Sequence, residues 1–352
     1  MEQCFIVHTA VRWRYSLPRK KLKNSLGGFD MSKTAPLIPL VAVVGPTASG
    51  KSALAVELAR FCNGEVVSAD SKQIYRYMSI GTAVPTKKEM GGVPHHLLQF
   101  LNPDQDFSVA EYVKLARERI LDICNREKLP ILAGGTGLYV SSLLDNITFF
   151  DTKSDPRLRQ ELQQTAAQKG NQYLLDMLAS FDPQLARGLH PNNLGRIIRG
   201  IEAYRLTGIP MSEHQKASRQ QGSPYRSCII GLNYRDRKAL YHRIDQRVEK
   251  MMENGLLKEI QELIQKGYSQ TAAQAIGYKE FFDYLQGNGT LADAISRVQQ
   301  ESRRYAKRQL TWFRRDERVN WLYIDDYEDY NSLIGQALTL VRNQLEIPAD
   351  FK

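Results

Sequence analysis

The chain has 352 residues, of which 42% are hydrophobic and 24% charged, a balance typical of a globular protein with one large domain or two smaller ones. No apolar run reaches the roughly 18 to 20 residues that a membrane-spanning helix needs, so we expect no membrane partner. The four cysteines form no CxxC pair, which argues against structural zinc and a disulfide framework and favours a reducing cytoplasm.

The net charge of +10 comes from 48 basic and 38 acidic side chains and favours a polyanionic partner. Part of the excess lies in residues 1–30, which lack helical or strand periodicity and precede a second methionine, Met31. A disordered leader, an organelle (plastid) transit peptide and a nucleic-acid-binding arm all fit this composition. We favour a disordered basic leader, and we exclude a bacterial secretion signal because no apolar core follows the charges.

The predicted elements begin with a continuous apolar strand over 38–44, typical of a parallel sheet buried on both faces. A helix over 51–62 follows, and then a short strand, EVVSAD, which ends at Asp70. Residues 107–125 predict an amphipathic helix capped by Ser108. The run KLPILAGGTGLYV predicts a third strand that ends in glycines. This alternation is typical of a doubly wound α/β sheet, whose ligands bind at the carboxyl ends of the strands.

After about residue 151 the composition changes to Gln, Leu, Ala and Arg with helical spacing, until the apolar strand CIIGLNY. The remainder to about residue 316 is again helical in pattern. We predict five segments: a leader over 1–37, the first part of the core over 38–150, a helical insertion domain over 151–222, the return to the core with basic helices over 223–325, and a C-terminal tail or helix over 326–352.

The segment GPTASGKS matches the phosphate-binding pattern GxxxxGK[ST] and lies between a predicted buried strand and a predicted helix. In this setting loop amides converge on phosphate oxygens, Lys51 adds a positive charge, and the Ser52 hydroxyl can bind Mg²⁺. We therefore predict a P-loop NTPase-like parallel sheet with helices on both faces, interrupted by the helical insertion domain. The predicted phosphate-binding residues are Gly45, Pro46, Thr47, Ala48, Ser49, Gly50, Lys51 and Ser52.

A hydrolase of this class usually has a strand that ends in an acidic residue, but ILAGGTGLY ends in glycines and the chain lacks NKxD. These absences argue against a GTPase and a motor ATPase. The nearest suitable carboxylate is Asp70, which could act as a general base toward an acceptor. From position alone, Asp70 could equally cap the next turn or hold Mg²⁺ through water.

Further motifs follow in a fixed order: DSKQIYRYMSIGTAVP, GVPHHLL, LAGGTGLY, HPNNLGRIIRGIEAYRLTG, AIGYKE and RRYAKRQLTWFR. Together with the phosphate loop, they resemble the tRNA dimethylallyltransferases, also called tRNA isopentenyltransferases, over about residues 38–320. The resemblance implies transfer of a dimethylallyl group from dimethylallyl diphosphate to N6 of the adenine just 3′ of the anticodon, with release of diphosphate. The cysteine pattern excludes the C-terminal zinc finger of many eukaryotic members.

The resemblance implies that the phosphate loop, Arg196 and Arg199 hold the leaving diphosphate, with Ser52 as a ligand of Mg²⁺. The implied catalytic residues are Asp70 as the base, Thr47 and Lys51. A basic helix around 297–318 carries arginines interleaved with Tyr305, Trp312 and Phe313 and is expected to contact RNA. The implied tRNA-binding residues are Asp70, Ser71, Lys72, Gln73, Thr136, Arg159, Asn193, Leu194, Gly195, Arg196, Ile197, Ile198, Arg304 and Arg308.

We expect the partners to be dimethylallyl diphosphate and an adenine-rich tRNA anticodon loop, and the protein to be a cytoplasmic monomer, or plastid if residues 1–37 are a transit peptide. Three alternatives stay open: a small-molecule P-loop kinase with ATP as donor, a non-catalytic RNA-binding module, and prenylation of free adenylate. The insertion and the basic helix favour tRNA. The adjacent His95 and His96 have no third ligand nearby, so we predict no metal site there.

Overall fold

The computed structural model describes residues 37–149, 155–218 and 222–346; the predicted leader, apart from Leu37, lies outside this range. The chain forms two compact units. One contains the described residues of Met1–Leu144 and Pro224–Lys352, and the other those of Asp145–Ser223. None of the described helices is both long and apolar enough to cross a membrane.

The larger unit is built on a six-stranded sheet in which every pair of neighbouring strands is parallel. The strand order is β3-β2-β4-β1-β5-β6. The strands are β1 (Ile38–Val44), β2 (Gly64–Ser68), β3 (His95–His96), β4 (Leu129–Ala133), β5 (Tyr225–Asn233) and β6 (Val319–Tyr323). The central strand β1 is almost entirely buried, as its unbroken apolar sequence predicts.

The helices alternate with the first strands and then follow one another in longer runs. The helices of the larger unit that lie between β1 and β5 are α1 (Lys51–Phe61), α2 (Lys87–Met90), α3 (Val109–Asn125) and α4 (Gly137–Leu144). The smaller unit contains α5 (Pro156–Lys169), α6 (Asn171–Ala179), α7 (Pro183–Arg187), α8 (Leu194–Thr207) and α9 (Met211–Ser218). The return to the larger unit contains α10 (Arg237–Glu253), α11 (Leu256–Lys266), α12 (Gln270–Ala273), α13 (Phe282–Leu285), α14 (Leu291–Phe313) and α15 (Tyr330–Leu345).

The predicted parallel α/β core is confirmed, and most of the predicted elements are found. Strand β1 has the predicted bounds, and Ser108 caps α3 through a capping box with Glu111. The predicted third strand was too long: it ends at Ala133, and the following glycines lead into α4. Strands β3 and β6 were not predicted, because the first has two polar residues and the second has Asn at its second position.

Each unit is stabilised by its own apolar clusters, of which three are described here. One lies between the sheet, α1 and α15, and a second joins α10, α11 and α14 to the segment that follows β2. The third belongs to the smaller unit and is formed by α5–α8. The second cluster fixes helices that are distant in sequence against the carboxyl-terminal side of β2.

A buried carboxylate, Glu65, ties the edge of the sheet together. It is 1% exposed and accepts hydrogen bonds from Arg126, from Lys128 Nζ at 2.7 Å and from His96 Nε2 at 2.8 Å. Burial raises the pKa of Glu65, but these hydrogen bonds outweigh it and lower the pKa to about 2. His96 is therefore part of a hydrogen-bond network on Glu65, and no cluster of metal-ligating side chains is found in the described ranges.

We predict that Glu65→Gln lowers the free energy of unfolding by about 1–3 kcal/mol, because it removes the charged acceptor shared by three side-chain donors. Urea unfolding measures the change, and Glu57→Gln, in an exposed pair with Arg60, is the matched control and should change it by less than about 0.5 kcal/mol. The pKa of Glu65 is about 2 in the folded protein instead of 4.5. The higher free energy of unfolding of the wild type relative to Glu65→Gln should therefore be present above pH 4.5 and be lost as the pH falls toward 2. An advantage that persists at pH 2 would contradict this account.

Candidate active site

The phosphate loop connects β1 to α1 and has a backbone that only glycine can adopt at its first position. Gly45 has φ of 140°, and a Cβ there would lie 2.3 Å from the carbonyl oxygen of Leu232 in the neighbouring strand. Gly50, with φ of 81°, is the N-cap of α1. The loop therefore ends at a helix N-terminus, which favours a bound anion. Lys51 Nζ donates to the carbonyl oxygen of Pro46 at 2.6 Å.

Gln309 of α14 connects the phosphate loop to the glycine-rich turn after β4. Its Oε1 accepts from the Thr47 amide at 2.8 Å, and its Nε2 donates to the Gly135 carbonyl oxygen at 2.9 Å. A Cβ at Gly135 would lie 2.0 Å from that nitrogen, so a glycine is required there. The Thr47 amide is thus already bonded within the protein. It is therefore not available to a phosphate, although the sequence predicted that the amides of this loop bind one. Thr47 itself lines the cavity described below.

Asp70 lies two residues beyond the end of β2, at the carboxyl edge of the sheet. Its Oδ1 accepts from the amides of Lys72 at 2.8 Å and Gln73 at 3.4 Å. One oxygen therefore performs the capping role that sequence position allowed. In the described part of the chain the other oxygen makes no hydrogen bond, which leaves it able to accept a proton.

The residues after Asp70 are bonded to neighbouring loops. The Ser71 amide donates to Thr136 Oγ1 at 3.0 Å, which places the predicted tRNA contact Thr136 beside Ser71. The Gln73 side chain donates to the carbonyl oxygens of Thr82 at 3.2 Å and Ala83 at 2.9 Å. The Gln73 side chain therefore holds the loop that contains Thr82 and Ala83, and its Nε2 is not available to a nucleotide.

A cavity of about 310 Å³ brings together most of the predicted catalytic residues. The predicted residues that line it are Thr47, Lys51, Ser52, Asp70, Ser71, Lys72, Gln73 and Arg308. Its opposite walls come from α10, α14 and the AIGYKE segment, including Val248, Val298 and Ile276. The lining of the cavity therefore combines the phosphate loop, a carboxylate and apolar side chains.

Sequence reasoning missed Arg247 of α10, which lines this cavity. Burial, and to a smaller extent the Arg247 charge, lower the pKa of Lys51 to about 7, although the Asp70 charge raises it. Burial also lowers the pKa of Arg247, and this guanidinium makes no hydrogen bond or ion pair within the described residues. Two cations with one carboxylate therefore favour binding of an anion. The sequence offered one signal, since Arg243, Arg247 and Lys250 recur on one helical face.

A second cavity, of about 590 Å³, lies on the other side of the phosphate loop. The predicted loop residues Ala48 and Gly50 line it, and so does the basic face of α10. Arg243 Nε donates to the Ala48 carbonyl oxygen at 3.3 Å. Ala83, Arg247 and Met251 line both cavities.

Helix α14 carries exposed arginines, whereas two of its aromatic rings pack inward. Arg304 and Arg308 are exposed, as an RNA contact requires. Trp312 instead donates from Nε1 to Ser141 Oγ at 2.9 Å, and Phe313 is buried. These two rings pack within the larger unit, and the RNA contact of this helix stays a prediction.

In the smaller unit, two arginines that were predicted to bind substrates, Arg159 and Arg199, bond the same buried carboxylate. Glu202 is 0% exposed and accepts from Arg159 Nε at 2.8 Å and from Arg199 Nη1 at 2.8 Å. Burial raises the pKa of Glu202, but these hydrogen bonds outweigh it and the pKa lies below its ordinary value.

The other predicted residues of α8 and its cap differ in exposure. Ile197 and Ile198 are buried in the core of the smaller unit, so these two predicted tRNA contacts have no exposed side chain. Asn193, Gly195 and Arg196 are exposed and Leu194 is half-buried. The role of Arg196 and Arg199 in holding the diphosphate stays a prediction.

The donor set fits a magnesium ion that is bound mainly through phosphate. Ser52 and Asp70 both line the cavity, and the Ser52 hydroxyl has no hydrogen-bond partner within the described residues. Mg²⁺ prefers oxygen ligands and is commonly held by one or two protein groups together with substrate phosphates and water.

Comparison with known proteins gives the family. The sequence model described as IPP transferase matches residues 73–316. The chain belongs to this family. A relative from Thermoanaerobacter sp. (strain X514), named tRNA dimethylallyltransferase, is 49% identical over 311 residues, which cover 88% of this chain and 99% of the relative. A protein of the same name from Bacillus subtilis (strain 168) is 44% identical over 310 residues, 88% of this chain and 98% of that protein.

Solved structures of family members agree. A tRNA isopentenylpyrophosphate transferase from Bacillus halodurans has a TM-score of 0.66 at 44% identity and covers 88% of this chain and 97% of that chain. A eukaryotic dimethylallyltransferase acting on tRNA has a TM-score of 0.74 at 26% identity, over 89% of this chain and 81% of that one. The family inferred from the ordered motifs is therefore confirmed.

The low pKa of Lys51 predicts proton uptake when an anion binds. At about pH 8 the Lys51 amine is mostly neutral, and a bound anion favours its charged form, so inorganic diphosphate should take up roughly one proton per site. At about pH 6 the Lys51 amine is already charged, so its contribution to proton uptake should vanish. Calorimetry in buffers of different ionisation enthalpy measures the uptake. Lys114→Met, exposed on α3, should behave as wild type, whereas equal uptake in Lys51→Met would refute the assignment.

Proposed function

We propose that this protein transfers a dimethylallyl group from dimethylallyl diphosphate to N6 of the adenine just 3′ of the anticodon in tRNA. The observation that carries the proposal is the cavity in which Lys51, Arg247 and the phosphate loop face Asp70. Membership of a family whose relatives are named tRNA dimethylallyltransferase supports the same reaction.

The donor end stabilises a leaving diphosphate. When C1 of the dimethylallyl group leaves the diphosphate oxygen, the bonding electron pair stays on that oxygen, and negative charge develops beside Lys51 and Arg247. Fixed positive groups that are already in place stabilise such developing charge strongly. Ser52 and the donor phosphates would hold a Mg²⁺ ion, which would add positive charge at the same place. No water has to be activated, which fits the absence of an acidic residue after β4.

The acceptor end supplies a base. The lone pair of the adenine N6 amine forms the new bond to C1, and the N6 proton passes to the oxygen of Asp70 that does not cap the turn. The other oxygen stays on the amides of Lys72 and Gln73 and fixes the orientation of the carboxylate. General-base help of this kind typically contributes roughly 10²- to 10⁴-fold to the rate. Ser71 and Thr136, bonded to each other, form the nearest polar surface for the nucleotide.

The tRNA contacts that we propose are electrostatic. Arg304 and Arg308 give the larger unit an exposed basic face on α14, and Arg196 gives the smaller unit an exposed arginine on α8. Glu202 positions Arg159 and Arg199 on the same unit. The target adenine must leave its stack, which costs least in a single-stranded loop. We propose an adenine-rich anticodon loop as the acceptor and a monomer as the active form.

The assignment of Asp70 as the base predicts a specific loss in Asp70→Asn. The variant keeps an oxygen for the turn but cannot accept the N6 proton, so kcat should fall by roughly 10²- to 10⁴-fold while tRNA affinity changes little. Transfer of labelled dimethylallyl to an unmodified anticodon stem-loop, followed by nucleoside mass analysis, measures the rate.

Asp104→Asn, at an exposed loop position, should retain wild-type activity in the same assay. Full activity in Asp70→Asn would remove Asp70 from the mechanism. Absence of prenyl transfer by the wild type, together with phosphate transfer from ATP to a metabolite, would replace the whole proposal with a kinase.

The proposed RNA face predicts a change in salt dependence. Arg304→Ala combined with Arg308→Ala should weaken stem-loop binding and reduce the slope of log Kd against log salt by roughly 1 to 1.5, since each phosphate contact on a single strand contributes about 0.7. Filter binding over a salt series measures the slope. Lys258→Ala, on an exposed position of α11, should leave it unchanged; an unchanged slope in the arginine variant would place the RNA elsewhere.

A further inference from the structure

The segment over 79–83 forms a wall of both cavities, yet it contributes no charged group of its own. Gly81, Thr82 and Ala83 line the first cavity, whereas Ser79, Ile80 and Ala83 line the second. The shape of the active cavity therefore depends on whatever holds this segment in place.

A carboxylate from α11 holds its first half. Glu259 accepts from the amides of Ser79 at 2.8 Å, Ile80 at 2.9 Å and Gly81 at 3.0 Å. Tyr278 Oη donates to the same carboxylate at 2.7 Å. No lysine or arginine pairs with Glu259 within the described residues. The donors of this carboxylate are therefore three consecutive backbone amides and one phenol, an arrangement that binds anions well.

Tyr278 also fixes the segment by packing. A Cβ at Gly81 would lie 2.4 Å from a carbon of the Tyr278 ring, so the backbone sits directly against the ring. The residue is fully buried in the cluster that joins α10, α11 and α14. This contact gives a physical role to the tyrosine of the AIGYKE motif.

The second half of the segment is held from the catalytic side. The Gln73 side chain donates to the carbonyl oxygens of Thr82 and Ala83 and accepts from Ser68 Oγ at 3.2 Å. The Gln73 backbone amide donates to Asp70 Oδ1 at 3.4 Å. A continuous chain of hydrogen bonds thus runs from Glu259, through the segment over 79–83 and Gln73, to Asp70.

We infer that Glu259 is a positioning residue for the transfer reaction, which orders the segment over 79–83 and through it sets the position of Gln73 and Asp70. The inference rests on the proposed function, in which Asp70 is the base. A carboxylate suits this position because its two oxygens offer about four acceptor sites for four donors. A glutamine would offer one oxygen and present an amide donor to backbone amides that also donate.

The test compares Glu259→Gln with Glu262→Gln, the same change at an exposed position of the same helix. In Glu259→Gln, kcat for prenyl transfer to the stem-loop should fall by about tenfold or more, because small misplacement of a reacting group costs up to about 10²-fold. The KM for dimethylallyl diphosphate and the Kd for RNA should stay within about twofold. Glu262→Gln should match wild type in all three.

Amide hydrogen exchange of the full chain supplies a readout that does not need activity. In Glu259→Gln, exchange should become faster at residues 79–81 and also at residues 72 and 73, whose amides bond Asp70. Faster exchange at 79–81 alone, with kcat unchanged, would limit Glu259 to a local structural role and overturn the inference. Lack of prenyl transfer by the wild type would refute the proposed function, while the exchange comparison would still test the hydrogen-bond chain.

A second variant covers the case in which Glu259→Gln does not fold. Tyr278→Phe removes only the phenol hydrogen bond to Glu259 and keeps the ring against Gly81. The loss of one hydrogen bond should lower kcat by about two- to fivefold, with faster exchange at 79–81. Wild-type kcat and exchange in this variant would contradict the inference.

Discussion

The placement of two half-buried cations, Lys51 and Arg247, beside a single carboxylate is the constraint on which the active cavity depends. Buried charges are costly unless a partner of opposite sign compensates them, and Asp70 already uses one oxygen to cap a turn. Burial accordingly lowers the pKa of both cations. An anion bound in the cavity would therefore relieve a cost that the folded protein carries.

The parallel sheet makes this arrangement possible because it brings the carboxyl ends of β1, β2 and β4 to one edge. The phosphate loop, Asp70 and the glycine-rich turn each follow one of these strands. Helices from the second half of the chain then close the cavity, with Arg247 on α10 and Gln309 on α14. The candidate catalytic residues therefore lie on short loops, and helices that are distant in sequence pack against these loops.

This division explains how much of the site could be predicted from the sequence. The phosphate loop and Asp70 were predictable because their spacing from apolar strands is local. Gln309 was not, since it bonds a residue 262 positions away and lies among arginines that indicate an RNA surface. The inward packing of Trp312 and Phe313 was left open for the same reason, because composition alone does not say which face of a helix is buried. Strand β6 was missed because a short strand with Asn inside it has little pattern.

The bond between Gln309 and the Thr47 amide has a consequence for how the protein is made. The phosphate loop is synthesised early, but its conformation is completed by a side chain from near the end of the chain. Strand β5, which flanks β1, also follows the whole smaller unit. A nascent chain on the ribosome therefore carries the phosphate-binding sequence long before it can form the phosphate-binding site, and the enzyme becomes competent only when α14 has emerged.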